Sequence, residues 1–182
     1  MFLYNEVQKR EANQERVRVG LIGAGKFGSM FLSQAPFTIG LEVSSIVDIS
    51  VENAKKNCRD VGWTEEQIES VLFFDNLKKM VSQTKIDVLV EATGDPVEGT
   101  RHALIAIEEG LDIVMVNVEA DVLSGPYLAK EADKAGIVYS MAYGDQPALT
   151  TELVEWARAS GFNVVAAGTV SYTHLRAHET SK

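Results

Sequence analysis

The sequence predicts an α/β fold in which a doubly wound parallel sheet is flanked by helices. Short apolar runs alternate with helix-like stretches along most of the 182 residues, and this alternation is typical of βα units. The first apolar run, Val17 to Ile22, leads into a glycine-rich turn and then into a helix-like stretch. Apolar residues make up 46 % of the chain, which is enough to form a sizeable buried core.

The elements follow one another in a regular order after a polar, helix-like stretch at residues 3–15. Apolar runs predict strands at 17–22, 42–47, 71–74, 86–90, 112–116, 137–141 and 162–166. Helices are predicted at about 26–35, 50–58, 76–83, 95–109, 124–135 and 147–160, and the polar stretch around Trp63 is predicted as a loop. Asp95 and Pro96 are typical of a helix start, since Asp is a favoured N-cap and Pro is tolerated in the first turn.

The turn after the first strand has the spacing G-x-G-x-x-G, formed by Gly23, Gly25 and Gly28. Gly23 permits a tight turn, Gly25 lets a pyrophosphate approach the main chain, and Gly28 lets the helix pack close to the strand. A helix N-terminus also favours bound phosphate through its free N–H groups and its dipole. The motif therefore predicts a Rossmann-type dinucleotide site that includes Lys26 and Phe27. A glycine-rich turn in an unrelated α/β protein is the alternative.

The second strand ends in Asp48, close to the place where a ribose-binding acid is expected. Its carboxylate can accept hydrogen bonds from the hydroxyls of the adenosine ribose and would repel a 2′-phosphate. The cofactor is therefore NAD or NADP, with NAD favoured. Lys55 and Lys56 lie nearby in the sequence and keep NADP open. The alternative interpretation of Asp48 is a solvated acid at the end of a strand.

Polar or small residues follow the later strands, and ligands in such sheets bind at the carboxyl ends of the strands. Thr93 and Gly94 follow the fourth strand, where small residues allow the nicotinamide ribose to approach and Thr93 can donate a hydrogen bond. Asn117 and Glu119 follow the fifth strand, and Asp145 follows the sixth. These last three are the catalytic candidates, and Asn117 is also expected at the cofactor. Capping of the next helix is the alternative for these side chains.

Composition and charge narrow the classes of molecule that the protein is expected to bind. The net charge of −9 and the pI near 4.8 argue against binding to nucleic acid or to an anionic membrane. No apolar run approaches the roughly 20 residues of a membrane span. The single cysteine, Cys58, excludes an internal disulfide and fits a cytoplasmic protein. His174 and His178 have the spacing of a metal pair without an apparent third ligand, so no metal site is predicted.

Four segments together carry a family resemblance: V-G-L-I-G-A-G-K-F-G, V-E-A-T-G-D-P, V-M-V-N-V-E-A-D and A-Y-G-D-Q-P. Residues 1–168 resemble the N-terminal part of homoserine-dehydrogenase-like oxidoreductases with a C-terminal SAF domain. This group includes the reductoisomerase-like enzymes that make methylerythritol 4-phosphate from deoxyxylulose 5-phosphate. The resemblance implies hydride transfer between NAD(P) and a small hydroxy or carbonyl substrate, in a homo-oligomer. Homoserine dehydrogenases usually have Lys where this chain has Val118, which weakens the expectation of homoserine dehydrogenase activity itself.

The predicted domain organisation has four parts: an N-terminal helix at 1–15, the NAD(P)-binding domain at 16–145, the start of a catalytic domain at 146–169, and a tail at 170–182. The tail resembles a translated sequencing adapter, which predicts a Rossmann-type chain truncated before its catalytic domain and inactive alone. A nucleotide-sensing module without chemistry is the alternative to an oxidoreductase.

Overall fold

A computed structural model describes residues 3–144 and 146–168 of the chain. The strands are β1 Val17–Ile22, β2 Leu41–Val47, β3 Leu72–Phe74, β4 Val88–Glu91, β5 Asp112–Met115 and β6 Tyr139–Met141. The helices are α1 Leu3–Ala12, α2 Lys26–Gln34, α3 Val51–Asp60, α4 Glu65–Glu69, α5 Leu77–Gln83, α6 Pro96–Glu109, α7 Val118–Ala135 and α8 Gln146–Ala159, with a 3₁₀ turn at Ala35–Phe37. The chain divides into two compact units, one ending at Ser140 and one beginning at Met141 and containing α8.

The described residues form a six-stranded sheet in the order β3-β2-β1-β4-β5-β6, which confirms the predicted doubly wound α/β fold. Strand β1 pairs in parallel with β2 on one side and with β4 on the other, so that Ile22 lies between Val47 and Glu91. The carboxyl ends of these three strands therefore meet where the strand order reverses. This is the position at which open α/β sheets bind ligands.

The core on one face of the sheet is apolar and close-packed around Leu21, Leu32, Ile46 and Cys58, which are all fully buried. Burial raises the pKa of the Cys58 thiol to about 11, so that the thiol stays protonated and unreactive at neutral pH. Cys58 is therefore a packing residue, as a lone cysteine in an amphipathic helix indicates. The core fixes the position of α2 and α3 against the sheet.

Two helices differ from the prediction. Residues 65–69, predicted as loop, form α4 because Thr64 and Gln67 make a capping box. Helix α7 begins at Val118 rather than near residue 124, and it contains Pro126. Asn117 starts this helix early by accepting a hydrogen bond from the Ala120 N–H. A proline restricts the residue before it, and Gly125 has no Cβ to clash with the proline ring.

The strand predicted at 162–166 is absent from the described residues, which have no regular structure from 162 to 168. A strand needs ladder hydrogen bonds to a neighbour, and here the Phe162 N–H donates to the Ala157 carbonyl at the end of α8. Asp145 and the predicted tail at 170–182 lie outside the described residues. The domain boundaries predicted near 145 and 169 stay predictions.

Trp63 satisfies a carbonyl that helix α2 cannot. The Leu32 carbonyl would normally accept the N–H of residue 36, but Pro36 has none. The buried Trp63 indole donates to that carbonyl at 2.7 Å.

We therefore expect Trp63→Phe to lower the free energy of unfolding by about 1–3 kcal/mol, measured by urea titration. Trp156→Phe is the matched control, because Trp156 is 64 % exposed, and we expect it to change stability by less than about 0.5 kcal/mol.

Candidate dinucleotide site

The three glycines of the turn after β1 have three different surroundings. Gly23 has a φ of +88°, and a Cβ there would lie 3.1 Å from the carbonyl of Ala92. A Cβ on Gly28 would lie 2.0 Å from the Gly23 carbonyl oxygen, so only glycine permits this approach of α2 to the turn. A Cβ on Gly25 would meet nothing within 4 Å. The structure thus needs glycine at the first and third positions for its own packing, and at the second it leaves open space.

The open space at Gly25 lies at the start of helix α2. Gly25 is the N-cap, and the first helical hydrogen bond runs from the Ser29 N–H to the Gly25 carbonyl at 2.8 Å. Among the described residues, none accepts a hydrogen bond from the N–H groups of Gly25, Lys26 or Phe27. The side chains of Lys26 and Phe27 are exposed beside them. This arrangement of free N–H groups at a helix N-terminus is suited to an anion.

The Ala24 peptide inside the turn is held on both sides. Asp48 Oδ2 accepts the Ala24 N–H at 2.9 Å, and Asp48 Oδ1 accepts the Ser50 N–H at 2.9 Å. The Ala24 carbonyl accepts the Asn57 amide at 2.7 Å and the Ser29 hydroxyl at 3.1 Å. Asp48 is therefore a half-buried residue that ties β2 to the turn, not a solvated acid. Each carboxylate oxygen has a second lone pair, so the predicted contact with a ribose hydroxyl remains open.

The loop after β4 is held by a buried acid. Glu91 is fully buried, and its Oε1 accepts hydrogen bonds from the hydroxyl and, at 3.4 Å, the N–H of Thr93. His102 on α6 places its Nδ1 3.2 Å from the same oxygen, so the histidine has a structural role here. Because its proton already lies toward Glu91, the Thr93 hydroxyl cannot also donate to a cofactor, and that expectation is not supported. Gly94 has a φ of +82° and is exposed.

Asn117 and Asp95 both cap helices. The Asn117 side chain, on a residue only 3 % exposed, accepts the Ala120 N–H and donates at 2.8 Å to the Asp95 carbonyl. It thereby joins the start of α7 to the loop after β4. Asp95 Oδ1 accepts the N–H groups of residues 97 and 98 at the start of α6. Of the catalytic candidates in the described residues, Asn117 thus has the capping role, whereas Glu119 is exposed in the first turn of α7.

Sequence reasoning missed two residues that shape the site. Asn57 lies two turns into α3, where a polar residue on a helix gives no sign that it reaches the glycine turn. Glu91 ends an apolar strand, and a charge at the end of such a strand is a recognisable signal because burying it is costly. Among the described residues, no group of three or more His, Cys, Asp or Glu side chains is placed to hold a metal ion. His174 and His178 lie outside those residues.

The open parallel sheet, with a glycine turn at its switch point, defines a dinucleotide-binding α/β domain. Residues 19–142, more than half of the sequence, match the family described as homoserine dehydrogenase, NAD binding domain. The chain belongs to this family and carries an NAD-binding domain. Residues 144–182 match the family described as oxidoreductase DRL, catalytic domain. No curated protein matches the chain.

Solved dehydrogenases share this fold. The WlbA dehydrogenase of Chromobacterium violaceum, in complex with NADH and UDP-GlcNAcA, aligns with a TM-score of 0.60 and 18 % identity over 80 % of this chain and 40 % of that one. The WlbA dehydrogenase of Bordetella pertussis, with the same ligands, aligns with a TM-score of 0.59 and 22 % identity over 80 % of this chain and 42 % of that one. The myo-inositol dehydrogenase of Lactobacillus casei, with NAD(H) and myo-inositol, aligns with a TM-score of 0.59 and 20 % identity over 77 % of this chain and 42 % of that one. The chain spans about two fifths of these proteins. In the part of the chain that the structure describes, no helix is long and apolar enough to cross a membrane.

Asn57 provides a test of the turn's architecture. Replacing Asn57 by Ala removes the amide that holds the Ala24 carbonyl, and the turn loses one of its supports. We expect NAD affinity to fall about three- to tenfold while the fold is kept, measured by calorimetry and circular dichroism. Asn53→Ala, one turn earlier on the exposed face of α3, is the matched control and should bind like the wild type. Equal binding by both variants would contradict the role of Asn57.

Proposed function

We propose that NAD binds across the carboxyl ends of β1, β2 and β4 and that the chain is the cofactor-binding part of an oxidoreductase. The observation that carries this proposal is the contrast between Gly25 and Gly28. The fold itself forbids a side chain at Gly28, whereas the space at Gly25 serves no packing purpose and is available to a ligand. The free N–H groups beside it supply donors for a pyrophosphate.

Each part of the cofactor has residues suited to hold it. The pyrophosphate would lie on the N–H groups from Gly25 to Gly28, and the adenosine ribose would lie beside Asp48. The nicotinamide half would lie beside Thr93 and Gly94. When bound, NAD supplies the hydride acceptor at its nicotinamide ring. The protein's residues bind and orient it, and the acid at the end of β2 favours NAD over NADP through repulsion of a 2′-phosphate.

For the substrate we propose a small hydroxy or carbonyl compound, of the homoserine type or of the sugar-phosphate reductoisomerase type. The match of residues 144–182 to the family described as oxidoreductase DRL, catalytic domain supports redox chemistry on a substrate of either type. The neighbours that bind UDP-GlcNAcA or myo-inositol support a small polar molecule in general terms. Glu119 and Asp145 remain the catalytic candidates. The SAF domain, the homo-oligomer and the cytoplasmic location belong to the same proposal and rest on the resemblance and on the single unpaired Cys58.

A nucleotide-sensing module without chemistry is the second candidate. The observation in its favour is that the Asn117 amide is used for capping and for the loop after β4. Hydride transfer between NAD(H) and a substrate of the proposed class, followed by NADH absorbance in a full-length homologue, separates the two candidates. A sensor binds NAD but leaves its oxidation state unchanged under all such conditions.

Gly25→Val tests the site of the pyrophosphate. The new side chain meets no protein atom, so we expect the fold to persist. It occupies the space assigned to phosphate, so NAD affinity should fall by at least about 1.4 kcal/mol, a factor of ten, by calorimetry. Gly168→Val is the matched control, because Gly168 also has open space around it and no positive φ. Undiminished NAD binding by Gly25→Val would refute the assignment.

The double variant Asp48→Ser with Ile49→Arg tests the cofactor preference. Ile49 is fully exposed, so an arginine can be placed there without disturbing the core. Removing the carboxylate and adding a guanidinium should raise the ratio of NADP to NAD affinity by about tenfold or more. Asp60→Arg, at an exposed acid on α3, changes the net charge by the same amount as the double variant and controls for it. The proposal fails if the wild type already binds NADP much more tightly than NAD.

A further inference from the structure

The two oxygens of Glu91 have different surroundings. Oε1 receives the Thr93 hydroxyl, the Thr93 N–H and the Nδ1 edge of His102. Oε2 is buried and has no hydrogen-bond partner among the described residues. Burying an acid with an unsatisfied oxygen is costly, and the proposed function does not use this residue. Its position under the loop after β4 suggests what the acid does there.

Glu91 fixes the direction in which the Thr93 hydroxyl donates its hydrogen bond. Glu91 Oε1 accepts the Thr93 hydroxyl as well as the Thr93 N–H, so the hydroxyl proton of Thr93 points toward Glu91. The Asn117 Nδ2, which is a hydrogen-bond donor, lies 3.5 Å from Thr93 Oγ1. The hydroxyl therefore keeps one lone pair and no free proton. Toward any ligand, Thr93 is a hydrogen-bond acceptor only.

Thr93 is half-buried and lies next to the glycine turn, where its Cα would be 3.1 Å from a Cβ on Gly23. Strand β4 lies on the opposite side of β1 from β2. A dinucleotide whose pyrophosphate lies on the turn and whose adenosine lies at Asp48 therefore extends its nicotinamide half toward Thr93.

We propose that Glu91 is a positioning residue that holds the Thr93 hydroxyl as an acceptor for a hydrogen-bond donor of the nicotinamide half. This inference rests on the proposed function. Two groups have the required chemistry, the carboxamide N–H₂ and a ribose hydroxyl. A ligand group that can only accept hydrogen bonds would lie opposite the remaining lone pair of Thr93 Oγ1, and its binding is disfavoured.

The test measures the affinity of the 182-residue chain for three probes by calorimetry: NAD, ADP-ribose, and 3-acetylpyridine adenine dinucleotide, whose methyl ketone lacks the carboxamide N–H₂. We expect Thr93→Val to weaken NAD binding about tenfold and Thr93→Ser to recover most of it. Glu91→Met should weaken NAD to a similar extent because it frees the Thr93 hydroxyl. Glu91→Gln should recover binding, since its amide oxygen can take the place of Oε1.

The matched control is Thr100→Val. The Thr100 hydroxyl donates within α6 to the Pro96 carbonyl and contacts Ser124 on α7, away from the glycine turn. Its loss should lower the affinities for all three probes equally or leave them unchanged. Thr93→Val removes only a hydroxyl from a half-buried side chain, so the test does not depend on whether Glu91→Met folds.

The probes distinguish the sources of the donor. A loss in Thr93→Val that is confined to NAD supports the carboxamide, and an equal loss for ADP-ribose supports the ribose hydroxyl. Wild-type binding of all three probes by Thr93→Val overturns the inference, as does wild-type binding by a folded Glu91→Met. If the wild type binds ADP-ribose and NAD but the variants do not differ, the proposed function stands without this inference. If the wild type binds no probe, both are overturned.

Discussion

The close contact between helix α2 and the turn after β1 is the constraint on which the rest of the structure depends. A Cβ at Gly28 would penetrate the Gly23 carbonyl, so the helix approaches the sheet only because that position is glycine. This approach directs the first N–H groups of α2 over the carboxyl end of the central strand. Because β1 pairs with both β2 and β4, the same contact brings together the loops that follow all three strands. The site is thus a consequence of strand order and helix packing.

Polar side chains on both sides hold the turn in this position. On the β2 side, Asp48 and Asn57 bind the N–H and the carbonyl of the same peptide, Ala24. On the β4 side, Glu91 holds Thr93, which adjoins Gly23. Backbone groups in a turn have no ladder to satisfy them, so side chains supply the partners. A turn held this way is preorganised, and a ligand that binds it does not have to offset the entropy of ordering it.

The sequence was sufficient for the order of strands β1 to β6, because the apolar runs and glycine spacing are local signals, although it missed α4 and added a strand at 162–166 that the described residues lack. The helix starts at Ser50, Asn76 and Asp95 follow from local capping chemistry for the same reason. What could not be predicted was non-local. The extension of α7 back to Val118 depends on the Asn117 side chain, which sequence patterns also allow to face a cleft. The contact of Asn57 with Ala24 spans 33 residues, and nothing in the helix pattern of α3 indicates it.

The contacts of the buried polar groups show which of them stabilise the fold and which one acts at the edge of the site. Asn117 has every part of its amide engaged, so its burial is explained by the two segments it joins. The Asp121 carboxylate likewise accepts the hydroxyl of Tyr139 on β6 at 2.8 Å, and burial together with this contact raises the pKa of that tyrosine. Glu91 differs from both, because Oε1 accepts two hydrogen bonds from Thr93 and also contacts His102, whereas Oε2 has no described partner. An uneven arrangement of this kind adds little to stability. It does impose a direction on the one hydroxyl that lies at the edge of the site.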